Sequence, residues 1–332
     1  MSVFQAIRHS MLAPLTRAYY SLDARKLPAD VMELPYDAPV RLVIPTYDGS
    51  WQPTHPDILP PRAPGQPYAL VMTPYPYDID RYENPSILVA PDGLRFREER
   101  KGINPLVPPP ERDHNDDPDL SYRNGEYQIL YLETLRPERQ NLVLLRSEDR
   151  LTWRPSNAAT FELTGANRHP FIVSPALAER EGLLYLYYVD RSSDPNRIEY
   201  LTGRDVADWG GREASAAVFD RLPVVPWHID IASSGGAHYM LISAAGRRIG
   251  GVRTYDLYIA SSENLSSWRF RPEPVFPRRP FGFRDVYRST AFVDRDDLFI
   301  YFACRSRLFE WKIGVVRKRL ADLFPSGPEA AT

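Results

Sequence analysis

Short stretches of alternating apolar and polar residues recur along the chain, and most of them are rich in tyrosine and β-branched residues. This alternation predicts β-strands, because successive side chains of a strand point to opposite faces. Helical patterns are scarce. The N-terminal segment is the best helix candidate, with apolar residues at Phe4, Ile7, Met11, Leu12 and Leu15.

The strand-like stretches come in repeating groups. Each group opens with a short polar motif, continues into an apolar strand, and follows with a tyrosine-rich second strand and a third strand. The motifs are HPDIL from His55, DPDLSY from Asp117, HPFIVS from His169, HIDIAS from His228 and RSTAFV from Arg288. Their starts lie roughly 60 residues apart, which is the spacing of a structural repeat.

The second and third strands of each group are also predicted. The second strands are Tyr68–Tyr75, YQILYLET from Tyr127, Leu183–Asp190, YMLISAA from Tyr239 and LFIYFACRS from Leu298. Three of the third strands lead into a tryptophan, at Trp153, Trp209 and Trp268.

Repeats of this kind predict an all-β fold, a five-bladed β-propeller over residues 40–320. Residues 1–39 are assigned to an N-terminal extension with a docking helix, and residues 321–332 to a C-terminal tail. A two-sheet sandwich is the main alternative, but it does not explain the regular period. The stretch VRLVIPTY from Val40 is expected to close the ring against the last blade.

Composition narrows the functional classes. The 332 residues are 43% hydrophobic with a net charge of −2, so we expect a globular protein that binds neither nucleic acid nor membrane. The single cysteine, Cys304, excludes an internal disulfide. The N-terminal segment lacks the continuous apolar core of a signal peptide, so a cytoplasmic or virion-associated protein is expected.

The polar motifs should converge in space, because the inner strands of a propeller start at the same end of the central channel. The converging residues would be His55, Asp57, Asp117, Asp119, His169, His228, Asp230 and Arg288, with Trp51 and Trp227 beside them as sugar-stacking candidates. A core would not select this mixture of charges, since each buried charge needs a partner. Converging carboxylates separate one another's pKa values, which suits acid–base catalysis at an acetal.

The motifs resemble those of the five-bladed propeller glycosidases of glycoside hydrolase family 43. The resemblance implies that Asp57 is the base and that Asp117, in its Asp-Pro context, orients and tunes the acid. The chain departs from the family pattern at the third blade, where His169 stands in place of the family's acid glutamate. Glu83 and Glu133 are the remaining candidates for the acid, because both are expected to lie on the face where the inner strands begin.

The predicted function is therefore an inverting glycoside hydrolase acting on an oligo- or polysaccharide. The alternative is a non-catalytic glycan-binding propeller, for example in a phage tail, docked through its N-terminal segment. Each site residue also has a structural interpretation: aspartates beside proline cap turns, histidines pair within the core, and aromatic residues fill blade interfaces. No local histidine spacing favours a metal, so no cofactor is expected to be required, and a structural calcium or sodium ion in the channel is left open.

Overall fold

The computed structural model describes residues 27–165, 171–206, 209, 216–245, 254–306 and 310–325. Five antiparallel sheets are arranged as blades around a central axis, which confirms the predicted five-bladed propeller. The predicted N-terminal helix and His169 lie outside the described residues.

Each blade is built in sequence order from the inner strand outward. Blade 1 has β2 (Pro53–Leu59), β3 (Tyr68–Pro74) and β4 (Ser86–Ala90). Blade 2 has β5 (His114–Arg123), β6 (Glu126–Leu135), β7 (Arg139–Ser147) and β8 (Arg154–Glu162). Blade 3 has β9 (Ile172–Arg180), β10 (Leu183–Asp190), β11 (Arg197–Gly203) and β12 (Ala216–Ala217).

The last two blades follow the same plan. Blade 4 has β13 (Val225–Ser234), β14 (Ala237–Ala245), β15 (Tyr255–Ser262) and β16 (Arg269–Arg271). Blade 5 has β17 (Phe283–Asp294), β18 (Asp297–Ser306) and β19 (Trp311–Arg319), and it takes its outer strand β1 (Val40–Arg41) from the beginning of the propeller.

Strand β1 closes the ring, as the sequence predicted. Val40 pairs with Val315 and Arg41 with Gly314 in an antiparallel register. The backbone N–H of Leu42 then donates to the Ile313 carbonyl at 2.9 Å, and the Leu42 side chain is buried. Chain segments from both ends of the propeller thus share one sheet, so the ring cannot open without breaking blade 5.

The second strand of each blade is buried on both faces, which explains its nearly continuous apolar sequence. In β6, Ile129 and Tyr131 pack towards blade 1, whereas Leu130 and Leu132 pack towards blade 3. The same alternation gives an apolar cluster at every junction between neighbouring blades. The core is therefore a ring of interfaces around the axis, and the axis itself is left to polar residues.

In the part of the chain that the structure describes, the helical elements are short and lie outside the blades. They are the 3₁₀ turns Val31–Glu33, Pro76–Asp78, Asp80–Tyr82 and Arg279–Phe281, and the helix α1 (Leu320–Leu323). Part of the predicted extension belongs to the core, since Val31 and Leu34 are buried between blades 1 and 5. Among the described residues, no helix is both long and apolar enough to cross a membrane.

We predict that Leu42→Ala destabilises the protein by about 3 kcal/mol, because it leaves a cavity where the ring closes. Urea unfolding followed by tryptophan fluorescence measures the change. Leu42→Met, which nearly conserves the volume, is the control and should cost less than about 1.5 kcal/mol. Equal losses in both variants would show that the closing strand does not depend on this packing.

Candidate active site

All five inner strands carry a bulge at the same level of the channel. The ladder registers shift between Thr54 and Asp57 in β2, between Asp116 and Asp119 in β5, and between Val173 and Ala176 in β9. They also shift between Val286 and Ser289 in β17 and, just before His228, between Pro226 and His228 in β13. In three blades a proline forms part of the bulge, because proline has no N–H to give to the ladder. The local sequences are His55-Pro56, Asp117-Pro118 and Ser174-Pro175.

The residue before each of these prolines has left-handed backbone geometry. The φ angles are 47° at His55, 49° at Asp117 and 53° at Ser174. This conformation costs of order 1–3 kcal/mol for a residue other than glycine, and it persists where surrounding contacts impose it. The third-blade equivalent of His55 and Asp117 is therefore Ser174. The sequence analysis had placed the start of the third-blade motif five residues earlier, at His169.

The bulges arrange the channel side chains in two layers. The first layer consists of His55, Asp117, Ser174, His228 and Arg288, one from each blade. The second layer lies two residues further along the strands, on the same strand face, and its polar members are Asp57, Asp119, Asp230 and Thr290. All of these polar residues are buried. The predicted convergence of the motifs is thus present in four of the five blades.

Asp117 is at the centre of the first layer. Its Oδ1 lies 3.3 Å from Arg288 Nη1, 3.3 Å from His228 Nδ1 and 3.6 Å from His55 Nε2. Its Oδ2 accepts a 2.8 Å hydrogen bond from the backbone N–H of Ser174. Burial favours the neutral acid, but these neighbours outweigh it and hold the pKa of Asp117 well below its usual value. The site therefore contains one fixed negative charge on blade 2, contacted by residues of the four other blades.

The two first-layer histidines are oriented through their Nδ1 atoms. His228 Nδ1 is 2.7 Å from the Ser174 hydroxyl, and His55 Nδ1 is 2.9 Å from the Thr73 hydroxyl. Neither Nε2 atom has a hydrogen-bond partner among the described residues, although both are buried. Burial lowers the pKa of His55 to about 3, so this ring is neutral at physiological pH.

Glu83 extends the site towards blade 1. It begins the stretch leading into β4, it is 4% exposed, and its Oε2 lies 3.3 Å from His55 Nδ1. Burial raises its pKa well above the usual value, against the opposing effect of His114. A carboxyl group with a raised pKa holds its proton more strongly than an ordinary glutamate, as a general acid requires.

His114 was not predicted as a site residue, although it starts the strand that carries Asp117. Its ring lies between carboxylates, 2.7 Å from Asp113 and 3.2 Å from Asp116. Burial alone would lower the pKa of His114, but Asp116, Glu83 and Asp113 raise it to about 10. His114 is therefore a buried cation that compensates the acids on this side of the site.

The second layer connects blades rather than facing a ligand. Asp57 of blade 1 accepts hydrogen bonds from the backbone N–H of Leu120 in blade 2 and, at 2.7 Å, from the Thr290 hydroxyl in blade 5. Asp119 accepts from the backbone N–H of Leu177 in blade 3 at 3.3 Å. Burial raises the pKa of Asp57 to about 6 and those of Asp119 and Asp230 well above normal. Both oxygens of Asp57, the base predicted from sequence, are thus engaged inside the protein.

An aromatic wall stands beside the first layer. The ring centroid of Tyr287 lies 4.2 Å from that of His228 and 5.6 Å from that of His55. Trp227 donates its Nε1–H to the Tyr287 hydroxyl at 2.7 Å, and Tyr75 stacks at 6.3 Å from His55. These three aromatic residues are half-buried, so part of each ring remains accessible to a ligand such as a sugar.

Two further predicted site residues make hydrogen bonds outside the two layers. Glu133, on β6, accepts a 2.6 Å hydrogen bond from Asn141 of its own blade. The backbone carbonyl of Trp51 accepts a 2.6 Å hydrogen bond from Lys312. Ser174 could have been found from sequence, because its Ser-Pro pair matches the His-Pro and Asp-Pro pairs of the first two blades.

Four groups of side chains among the described residues have the composition and closeness to hold a metal ion. Within each group the ligand atoms lie within 4.8 Å of one another, and the groups are His55, Asp117 and His228; Asp80, Asp113 and His114; Glu83, His114 and Asp116; and Asp57, Asp119 and Asp230. The second and third groups contain the cationic His114, and the fourth contains the internally bonded Asp57. The first is the best suited, because it offers two unpartnered imidazole nitrogens and a carboxylate oxygen.

No protein-family model matches the chain. A short segment is similar to the A type blood N-acetyl-α-D-galactosamine deacetylase of Flavonifractor plautii, with 41% identity over 83 residues. That match covers 24% of this chain and 11% of the deacetylase, so the chain matches about a tenth of the length of this curated relative.

Solved structures match over much more of the chain. The N-acetylgalactosamine deacetylase from F. plautii, in complex with blood group B trisaccharide, superposes with a TM-score of 0.73 at 17% identity and covers 87% of this chain and 96% of that chain. A thermostable family-43 glycoside hydrolase gives 0.60 at 14% identity, covering 81% and 89%. The α-L-arabinanase of Cellvibrio cellulosa, complexed with arabinohexaose, gives 0.54 at 12% identity, covering 80% and 91%.

The chain has the fold of the family-43 propellers. These neighbours are sugar-active enzymes by name, and the likeness shows that this chain shares their propeller fold. At such low identities the likeness concerns the fold, and the chemistry has to be argued from the side chains.

We predict that His114→Gln lowers the free energy of unfolding by about 3 kcal/mol at pH 6, because it leaves buried carboxylates unpaired. Since the pKa of His114 is raised from 6.5 to about 10 by folding, its contribution is complete below pH 6.5 and is lost as the pH rises towards 10. Urea unfolding at pH 6, 8 and 10 should show this loss in the wild type and not in the variant.

His238→Gln is the matched control, because His238 is a buried histidine of blade 4 that bonds to Ser233. It should keep the alkaline loss of stability. The same pH dependence in His114→Gln and in the wild type would contradict the assigned ion pairs.

Proposed function

We propose that the protein is a hydrolase that removes an acyl group, such as N-acetyl, from a carbohydrate. The observation that carries the proposal is the grouping of His55, Asp117 and His228, whose ligand atoms lie within 4.8 Å of one another. The Nε2 atoms of both buried histidines have no hydrogen-bond partner among the described residues. The fold of sugar-acting enzymes and the local similarity to a deacetylase support the same substrate class.

The three residues have the features of ligands for a divalent metal ion. Metal-binding histidines are normally oriented by a hydrogen bond at the other ring nitrogen, and here the hydroxyls of Ser174 and Thr73 supply it. Two imidazoles with one carboxylate suit Zn²⁺ or Mn²⁺. When bound, such an ion supplies Lewis-acid polarisation of the acyl carbonyl oxygen. The expectation that no cofactor is required remains untested.

Glu83 is proposed as the proton-transfer group. In amide hydrolysis, water adds to the carbonyl carbon, the C–N bond breaks, and the nitrogen leaves with a proton. In this proposal Glu83 accepts the proton of the attacking water and returns it to the nitrogen, which is supported by the 3.3 Å distance from its Oε2 to Nδ1 of the first-layer residue His55. Its raised pKa suits both steps.

Arg288 and His114 are buried cations that balance the charges of the carboxylates beside them. Arg288 is fully buried and pairs with Asp117, so the carboxylate stays ionised whether or not a ligand is present. The aromatic wall of Tyr75, Trp227 and Tyr287 offers ring faces on which the C–H surface of a sugar can stack, which would orient the acyl group towards the cluster.

An inverting glycosidase is the second candidate. The opposed pKa shifts of Glu83 and Asp117 favour it, because glycoside hydrolysis needs one protonated and one ionised carboxyl group. It ranks second because Asp57 is engaged between blades and Ser174 occupies the third-blade position. A glycan-binding propeller without turnover would use the same aromatic wall, but it leaves the unpartnered histidines without a role.

We predict that the protein releases acetate from N-acetylated amino sugars and that Glu83→Gln lowers kcat by about 10²–10⁴-fold, the usual contribution of a general acid–base group. Coupled acetate detection on a panel of N-acetylhexosamine glycans measures it. Glu133→Gln is the control and should retain activity. Release of reducing ends instead of acetate would favour the glycosidase, and binding of glycans with no product would favour the binding protein.

We also predict that one divalent ion binds per chain and that chelation abolishes turnover. Calorimetric titration of chelator-treated protein with Mn²⁺ or Zn²⁺ measures binding directly. His228→Gln should weaken it by more than about 10-fold, since loss of an outer-shell partner alone can cost that much. His238→Gln should leave it unchanged. Equal affinities in both variants would place the ion elsewhere.

A further inference from the structure

Arginines recur where the second strands of the blades end. Arg136 follows β6, Arg191 follows β10, and Arg305 is near the end of β18. Second strands end on the face where inner strands begin, so these positions surround the mouth of the candidate active site. Each of the three arginines lies at the C-terminal end of a second strand, so their surroundings can be compared.

Two of the three arginines are neutralised by carboxylates. Arg136 pairs with Asp113 at 2.6 Å, and Arg305 pairs with Asp285 at 2.6 Å. Arg191 has no ion pair with a carboxylate among the described residues. The acid that precedes it, Asp190, binds the backbone N–H of Ser192 and the hydroxyl of Ser193 instead. Arg191 therefore presents an uncompensated positive charge.

The backbone around Arg191 is held in place. Its N–H donates to the Phe171 carbonyl at 2.8 Å, and the Phe171 N–H donates to the Ser192 hydroxyl at 2.7 Å. Together with the two bonds to Asp190, these contacts fix the turn after β10. The charge is thus presented from a constrained turn, which reduces the entropy lost when a ligand binds.

The guanidinium is also stacked at the edge of the site. It lies 4.1 Å from the ring centroid of Trp227, which in turn donates its hydrogen bond to Tyr287. It is close enough to interact electrostatically with Tyr287 and Asp117. The guanidinium carbon also lies 5.3 Å from the ring centroid of Phe171. Stacking against ring faces leaves the in-plane N–H donors available, and Arg191 is exposed.

We propose that Arg191 forms an anion subsite that selects glycans carrying a carboxylate, sulfate or phosphate group next to the sugar held by the aromatic wall. A planar guanidinium binds such groups through paired hydrogen bonds. The subsite deepens the proposed function, on which it rests, because it names the substrate class of the same site. Among the mouth arginines described, only Arg191 combines an unpaired charge with a place on the sugar-binding wall.

The test compares the binding affinities of neutral and anionic sugars, taken in pairs. Calorimetry measures these affinities under conditions in which no product forms. The pairs are N-acetylgalactosamine with its 6-sulfate and galactose with galacturonic acid, which separate the sulfate and carboxylate sources. The wild type should bind at least one anionic member about 10-fold more tightly than its neutral partner at low salt, and the preference should shrink as salt is added.

Arg191→Gln should abolish this preference and leave the affinity for the neutral sugars within about 2-fold. Arg191→Lys, which keeps the charge but not the planar fork, should retain part of it. Arg136→Gln is the matched control and should keep the full preference. A wild type without anion preference, or a preference that survives in Arg191→Gln, overturns the proposal. Anion preference without acetate release would refute the proposed hydrolysis and leave the subsite standing.

Discussion

The structure depends on one buried carboxylate. Asp117 lies in a channel where an unpaired charge would be strongly unfavourable, and its oxygens face Arg288, His228, His55 and the Ser174 backbone N–H. These partners come from the four other blades. Removing Arg288 would leave the charge uncompensated, and losing the other contacts would leave it less well solvated, so the carboxylate requires the ring to be closed and the bulges to be formed.

The bulges give the channel its chemistry. By placing left-handed residues at His55, Asp117 and Ser174, they turn polar side chains into the first layer, while the second layer below ties the blades together through Asp57 and Asp119. A propeller with apolar blade interfaces can carry such a polar axis because the stability comes from the interfaces. The charged centre is then held rigidly, as binding and proton transfer require.

Much of the fold follows from local patterns. The second strands were predicted nearly residue by residue, since double-sided burial gives continuous apolar runs such as Leu183–Asp190, and Val40 was predicted to close the ring. The site was harder to predict, because its contacts are set by backbone bulges rather than by motif position. Ser174 was missed because a nearby His-Pro pair resembled the other motifs. The proposed ligand set was not predicted as such, because its members lie on blades 1, 2 and 4 and no local spacing connects them.

The central claim is that Asp117 and its neighbours hold two buried imidazoles beside one carboxylate, with their Nε2 atoms left without hydrogen-bond partners among the described residues. Histidine-selective ¹⁵N NMR of the metal-free protein at pH 7 tests it directly at His55, with His55→Gln to assign its signals among the six histidines. The account predicts that the His55 ring is neutral and carries its proton on Nδ1, with none on Nε2. A proton on Nε2 of His55 would contradict the account, since this nitrogen would then be a hydrogen-bond donor instead of a ligand atom.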